Sequence, residues 1–252
     1  FQGTFLKNES ADPYALIRHI QPQADSGLQR RQLDLLARLN RQHAAARDND
    51  SQFEGSIAAM ETAFRMQTEA PEAFEVRLES ESTRARYGDS DFGRSCLMAR
   101  RLVERGVRMV QIYYGNSQPW DNHADILVHQ RLATKTDPAV ASLLEDLKSR
   151  GLLDDTLVVL GTEFGRTPAV ETGASTPVQY GRDHNSYGYS VVLAGGGVKG
   201  GITYGATDDF GFRAVENRTH NHDLNATLLH LLGLDHTRLT YNYSGRDFRL
   251  TD

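Results

Sequence analysis

The hydrophobic pattern of this chain changes near Val107, and that change limits the possible folds more than any other feature. Before it, apolar residues recur at helical spacing among many Arg, Glu and Gln residues. After it, short apolar runs of strand length alternate with polar loops and helical stretches. We therefore expect a mainly helical region over residues 1–105, as part of the same domain or as an insertion, and an α/β region over residues 106–252.

The helical region shows start and stop signals but no motif that carries chemistry. Ser26 should cap a helix over residues 26–47, which the polar stretch 48–51 breaks. A second helix should end before Pro71, because proline disfavours helical backbone in the residue that precedes it. A third helix is expected over residues 92–104. The candidate functional residues must therefore lie in the second region.

The second region alternates predicted strands with predicted helices. Three apolar runs, at residues 107–114, 156–160 and 189–194, predict strands. Asp137, which a proline follows, should open one helix, and Asp223 should cap another. This order of elements predicts an α/β fold with a parallel or mixed sheet covered by helices.

Polar loops next to these apolar runs carry carboxylates and imidazoles, which are ligands for divalent metal ions. In α/β sheets the chemistry lies at the ends of the strands. Alternate residues of an extended chain share a face, so Asp121 and His123 could reach one ion. The predicted metal ligands are Asp121, His123, Glu163 and His184. Weaker candidates are Asp183, His220 and His222.

Three of the charged side chains in these loops are candidates for catalysis. Glu163 could act as an acid/base or hold a second ion, and Arg166 or Arg182 could bind an anionic group of a substrate. Each candidate also has an interpretation without chemistry. Glu163 could form a salt bridge with Arg166, Asp183 could hold its loop by a hydrogen bond, and the histidines of segment 220–222 could be loop contacts. The residues alone leave these alternatives open.

The overall charge argues against some partners. A net charge of -5 and a pI of about 6.0 give no electrostatic reason to expect nucleic acid or an anionic membrane surface. The apolar runs are much shorter than the ~20 residues that a membrane-spanning helix needs. The single cysteine, Cys96, excludes an internal disulfide, and its place in a helical pattern predicts a packing role.

Four longer segments carry a resemblance to a known family. They are residues 155–168 (DTLVVLGTEFGRTP), 181–185 (GRDHN), 193–201 (LAGGGVKGG) and 241–250 (YNYSGRDFRL). In content and order they resemble the bacterial DUF1501 proteins, which are often labelled sulfatase-like and look like members of the alkaline phosphatase superfamily. The resemblance implies an alkaline-phosphatase-like sheet covered by helices. It also implies that the chain corresponds to the C-terminal portion of longer family members.

The resemblance assigns expected roles to the same loop residues. Asp121 and His123 match the superfamily's Asp and His for one metal, and His184 matches a later histidine that precedes a strand. Glu163 stands at the acid position of a metal-binding Asp-His, but Phe164 replaces the histidine. The superfamily's nucleophile would belong to an N-terminal half that we expect upstream of this chain.

The function implied by the resemblance is metal-dependent hydrolysis of sulfate or phosphate esters. The cofactor would be a divalent metal (zinc, manganese or calcium), and the substrate a small anionic ester such as a sulfated or phosphorylated carbohydrate. Export signals are common in the family, so we expect a periplasmic or secreted location. Two alternatives stay open: a non-catalytic, metal-stabilised binding or cell-surface protein on the same scaffold, and a metal-dependent phosphomutase.

Overall fold

A computed structural model describes residues 4–6, 12–17, 20–21, 25–45, 51–115, 117–172 and 180–251. The chain divides into two compact units, Phe1–Ile112 and Tyr113–Asp252. The described residues combine helices with short strands, as expected for an α/β chain. The helices are α1 (Ser26–Ala45), α2 (Ser51–Phe74), α3 (Glu81–Tyr87), α4 (Asp91–Glu104), α5 (Val128–Ser149) and α6 (Asn221–Leu231). The strands are β1 (Val158–Leu160), β2 (Gly165–Arg166), β3 (His184–Asn185), β4 (Val192–Ala194), β5 (Ala206–Thr207), β6 (Ala214–Glu216), β7 (Tyr241–Tyr243) and β8 (Arg246–Phe248).

The core of the first unit lies along α4. The hydroxyl of Ser90 accepts a hydrogen bond from the N–H of Gly93 and so caps the N-terminus of this helix. Cys96 and Leu97 of α4 are fully buried, as is Phe74 at the end of α2. The packing role predicted for Cys96 is confirmed, and burial raises the pKa of its thiol to about 12.

A cluster of ion pairs is buried beside this apolar core. Arg100 and Arg101 are only 1% and 5% exposed. Arg100 pairs with Glu79 (2.8 Å) and Glu104 (2.5 Å), while Arg101 pairs with Glu79 and donates to the carbonyl of Ala73 (2.9 Å). Burial would raise the pKa of Glu79, but the hydrogen bonds from the two arginines outweigh it and lower the pKa.

The ends of the first two helices differ from the sequence predictions. Ser26, the predicted cap, is the first residue of α1, and the carboxylate of Asp25 accepts the N–H groups of Gly27 and Leu28 in the first turn. Helix α2 continues through Pro71, although an interior proline removes one backbone hydrogen bond at a cost of about 3 kcal/mol. Burial of Ala73 and Phe74 in the last turn offsets this cost. Residues 46–50, which hold most of the predicted break, lie outside the described residues.

Helix α5 also starts earlier than predicted. It begins at Val128, and the Asp137-Pro138 pair that should have opened it lies inside the helix. Asp125 makes the corresponding local contact, because its carboxylate accepts the N–H of Leu127 just ahead of the first turn. The helix buries Leu143 and Leu147, which belong to the apolar stripe of the sequence.

The strands of the second unit form four separate two-stranded antiparallel ladders, β1–β4, β2–β3, β5–β6 and β7–β8. These ladders differ from the parallel or mixed sheet that we expected, and the described residues show no alkaline-phosphatase-like sheet. Residues 107–115 contain no strand, and Met109 is 82% exposed. An apolar run identifies residues that suit a strand, but the direction of pairing depends on a distant partner.

The glycine-rich segment 195–201 follows β4, and its residues Gly196 and Gly197 form a turn. Within the described residues, no helix combines the length and the apolar character that crossing a membrane requires.

Candidate metal centre

The loop ahead of α5 is held in shape by contacts around Trp120. Its ring meets those of Tyr114 and His129 edge-on, at centroid distances of 5.5 and 5.1 Å. The Trp120 carbonyl accepts a hydrogen bond from His129 Nε2 (2.7 Å). The N–H of the next residue, Asp121, donates to the carbonyl of Gln118 (3.0 Å). These contacts hold the backbone that carries the Asp121 carboxylate.

The short β2–β3 ladder contributes a guanidinium and an imidazole. Arg166 and His184 are directly opposite each other in this ladder, so their side chains share one face. Gly165 opens β2 at a point of close approach. A Cβ at this position would lie 2.4 Å from the carbonyl oxygen of Gly188, so only glycine fits without a backbone shift.

Gly181 brings a third segment against the backbone of His123. A Cβ at position 181 would lie 1.6 Å from the His123 carbonyl oxygen, so any other residue would push the two segments apart. The Gly181 carbonyl accepts the N–H of Glu171 (3.0 Å). An isolated β-bridge between Asp125 and Tyr180 joins the same two segments nearby. Three stretches of chain therefore meet around His123.

Three potential metal-ligand atoms converge where these segments meet. Asp121 Oδ1 lies 3.0 Å from His123 Nε2 and 3.0 Å from His184 Nε2, and the two nitrogens are 3.2 Å apart. Ligands 2.0–2.1 Å from a common ion, at angles between octahedral and tetrahedral, lie about 2.9–3.4 Å from one another. One carboxylate and two imidazoles thus form a set of residues that could hold a metal ion.

Arg166 sets the charge state of the carboxylate in this group. Its Nη2 donates to Asp121 Oδ1 (2.5 Å) and to the carbonyl of Trp120 (3.3 Å). The hydrogen bond from Arg166, and next that from His184, lowers the pKa of Asp121 to about 2. The carboxylate is therefore ionised at neutral pH, as a metal ligand must be.

Glu171 joins the site from the long polar loop, and sequence reasoning missed it. Its Oε2 lies 2.7 Å from Nδ1 of His123, and this hydrogen bond raises the pKa of His123. His123, Glu171 and Asp183 form a second group that could hold a metal ion. Long polar loops are often functional, but nothing in the sequence distinguished Glu171 from the other polar residues of segment 165–187.

The remaining predicted residues of these loops lie in different surroundings. Glu163 is exposed and accepts a hydrogen bond from the hydroxyl of Thr162 (3.0 Å), and it belongs to neither group of potential ligands. The guanidinium of Arg182 donates to the carbonyls of its own loop, at Tyr180 (2.7 Å) and Gly181 (3.0 Å). The roles predicted for these two side chains stay predictions.

The histidines of segment 220–222 lie at the start of α6. The cap of this helix is His220 rather than the predicted Asp223, and its side chain accepts the N–H of His222 (3.2 Å). Asp223 completes a reciprocal capping box, because its carboxylate accepts the N–H of His220 (2.8 Å). These contacts give the segment a structural role, and its histidines belong to neither group of potential ligands.

Phe164, which occupies the position of an expected histidine, packs on His184, one of the potential metal ligands. Its ring centroid lies 4.2 Å from that of His184, with the planes tilted by 36°. The aromatic ring supplies no lone pair for a metal, but it supports one face of the His184 imidazole.

Comparison with known proteins supports the family suggested by the four motifs. No curated protein and no solved structure matches the chain. A family model described as "Protein of unknown function (DUF1501)" matches residues 1–252. Since this match extends over the whole chain, the protein belongs to the DUF1501 family.

Proposed function

We propose that this chain contributes the metal site of an enzyme that hydrolyses sulfate or phosphate esters. The observation that supports the proposal most is the convergence of Asp121 Oδ1, His123 Nε2 and His184 Nε2 within 3.0–3.2 Å of one another. A guanidinium, which binds anionic groups, lies directly beside them on Arg166. An oxyanion ester needs both kinds of group.

Asp121, His123 and His184 would hold the ion. Two imidazoles in the set favour zinc over manganese and calcium, which prefer oxygen ligands. A bound divalent ion supplies Lewis-acid polarisation of an ester oxygen and neutralises charge on the transferring group. Arg166 would attract the anion through its positive charge, while its Nη2 donates to Asp121 and the Trp120 carbonyl and its Nη1 to the Arg182 carbonyl.

The other residues of the proposed mechanism are assigned from sequence position. Glu163 would act as an acid/base or hold a second ion, and its exposed carboxylate is accessible to solvent. Arg182 would assist in binding the anion. Cys96 is not proposed as the nucleophile, because a thiol whose pKa is raised to about 12 is protonated at neutral pH. We further propose an alkaline-phosphatase-like sheet in the complete domain, and a periplasmic or secreted location.

Metal content and turnover test the proposal together. We expect elemental mass spectrometry to find stoichiometric metal in the purified protein, and the Asp121→Ala, His184→Ala double variant to lose it. His230→Ala, which changes an exposed histidine on α6, is the matched control. The metal-loaded full-length protein, in which we expect the N-terminal half to supply the nucleophile, should hydrolyse 4-nitrophenyl sulfate or phosphate. The absence of bound metal after loading with zinc, manganese and calcium would contradict the proposal.

A second function is a metal-stabilised binding protein without catalysis. It is favoured by the origin of the potential ligands, which come from separate loop and strand segments joined by one ladder of two residue pairs and one isolated bridge. An ion that cross-linked such segments would stabilise the unit. His123→Ala separates the two functions, because it should abolish turnover in an enzyme but mainly lower the melting temperature of a metal-stabilised scaffold.

A further inference from the structure

We infer that Glu171 is a positioning residue that keeps the proton of His123 on Nδ1, so that Nε2 presents its lone pair to a single ion held with Asp121 and His184. This inference rests on the metal site of the proposed function. It goes further by selecting one of the two groups of potential ligands and by assigning a role to a residue outside both the motifs and the predicted ligands.

The distances around His123 show that its two ring nitrogens have different surroundings. Nδ1 lies 2.7 Å from Glu171 Oε2, which is the length of a charge-assisted N–H···O bond. Nε2 lies 3.0 and 3.2 Å from Asp121 Oδ1 and His184 Nε2, which suits ligands of a common ion. One side of the ring therefore donates a proton, and the other side faces ligand atoms.

The two groups of potential ligands share His123, so the choice between them is made at this ring. An ion on the Nδ1 side would need Glu171 and Asp183 as its other ligands. The carboxylate of Asp183 accepts the N–H of His184 at 2.7 Å, so it already serves the β3 backbone. Glu171 at 2.7 Å is closer to Nδ1 than two ligands of one ion would be. Both observations favour the Nε2 side.

Competition for the proton of His123 also favours Glu171. Asp121 Oδ1 accepts a hydrogen bond from Arg166 and lies within reach of both imidazoles, so its negative charge is already compensated. Glu171 faces His123 at a shorter distance, and 23% of its side chain is exposed. A neutral His123 ring should therefore keep its single proton on Nδ1.

Backbone contacts hold Glu171 close to His123. Its N–H donates to the carbonyl of Gly181, and Gly181 in turn is pressed against the carbonyl of His123. The segments that carry the carboxylate and the imidazole are thus held next to each other by backbone contacts. Such a partner behind a metal-binding imidazole typically improves metal affinity 10–100-fold.

The test compares Glu171→Ala and Glu171→Gln with the wild-type chain, and uses Glu216→Ala on β6 as the control for loss of an exposed carboxylate. Zinc affinity is measured by competition with a chelator. Long-range nitrogen NMR identifies the protonated nitrogen of His123, both with zinc bound and in metal-free protein at a pH where the ring is neutral. We expect the proton on Nδ1 in the wild-type chain.

Glu171→Ala should weaken zinc binding 10–100-fold and release the proton from Nδ1. Glu171→Gln should keep both properties, because its amide oxygen accepts the same hydrogen bond, and Glu216→Ala should match the wild type. The inference is overturned if the proton of the neutral ring is on Nε2, or if Glu171→Ala leaves affinity and tautomer unchanged. Failure to hydrolyse esters would overturn only the proposed function, and failure to bind zinc would leave the metal-free spectrum to decide the role of Glu171.

Discussion

The two units use the same residue types for opposite purposes. In the helical unit, Glu79 and Glu104 accept hydrogen bonds from the buried guanidinium of Arg100, and carbonyl oxygens accept from Arg101 beside it. In the second unit, Arg166 also pairs with a carboxylate, but two imidazole nitrogens face the same oxygen of Asp121. The first cluster pairs guanidinium groups with carboxylates and carbonyls, whereas the second brings three potential metal-ligand atoms within 3.0–3.2 Å of one another. Of the two clusters, the second is a set of residues that could hold a metal ion.

The largest effect should follow from breaking the buried ion-pair cluster of the helical unit. Glu79→Ala should lower the free energy of unfolding of the helical unit by about 3–5 kcal/mol, because it leaves two buried guanidinium groups without their shared carboxylate. Asp34→Ala is the control, since its pair with Arg30 is exposed and should contribute only about 0.3–0.5 kcal/mol. Urea denaturation measures both. Equal effects of the two variants would show that the buried cluster is no more stabilising than a surface pair.

The next largest effect, on stability and zinc affinity, should follow from separating the segments that carry the potential metal ligands. Gly181→Ala should destabilise the second unit by about 1–3 kcal/mol and weaken zinc binding, because the new methyl group would collide with the carbonyl of His123. Gly200→Ala meets no atom within 4 Å and should change neither property. Thermal unfolding and zinc titration of both variants measure the difference. Normal zinc binding by Gly181→Ala would argue against the described packing of this segment.

A smaller effect, on zinc affinity, should follow from removing the charge of Arg166, which pairs with a potential metal ligand rather than with a structural carboxylate. Arg166→Gln should raise the pKa of Asp121 from about 2 toward its ordinary value, because the largest cause of the lowering is removed. It should tighten zinc binding several-fold, since a cation no longer competes for the carboxylate, while ester turnover falls. Arg182→Gln, whose guanidinium donates to carbonyls of its own loop, is the control for zinc affinity. Weaker zinc binding by Arg166→Gln would contradict this competition.

The smallest effects should be the pH dependences, which have opposite signs in the two units. Glu79 has a lowered pKa, so its contribution to stability is present above its ordinary pKa of 4.5 and is lost as the pH falls through the folded value. His123 has a raised pKa, so in metal-free protein its contribution is present below 6.5 and is lost as the pH rises through the folded value. Unfolding of the wild type, Glu79→Gln and His123→Gln across pH measures each sign. If the difference in the free energy of unfolding between a variant and the wild type does not change with pH, that residue does not cause the pH dependence.

Parts of the fold were predictable because their signals are local. Helix α4 is found close to its predicted bounds, since Ser90 caps it and its apolar residues recur at helical spacing. The prediction failed at Pro71 and at Asp137, where strong local signals for a helix end and a helix start were overridden. Burial of the residues around them outweighs a propensity of a few kcal/mol.

The candidate site was predictable only in part, for the same reason. Asp121 and His123 were identified by their residue types and by their separation of two positions in the sequence. His184 was suggested by the residues next to it in the sequence. The role of Glu171 depends on a contact across 48 residues, so no pattern along the chain could indicate it. Glu163 looked as suitable as the other acids, yet it lies outside both groups of potential ligands.

The sequence by itself determined the chemistry that is available: a helical region without a motif that carries chemistry, a second region with acids and histidines in loops, and membership of one family. Only the tertiary structure decided which of these side chains meet, how short strands pair, and which nitrogen of His123 faces the other ligands. The physical reason is that residue type and periodicity act over a few positions, whereas ligand convergence depends on distances between segments that are far apart in the chain.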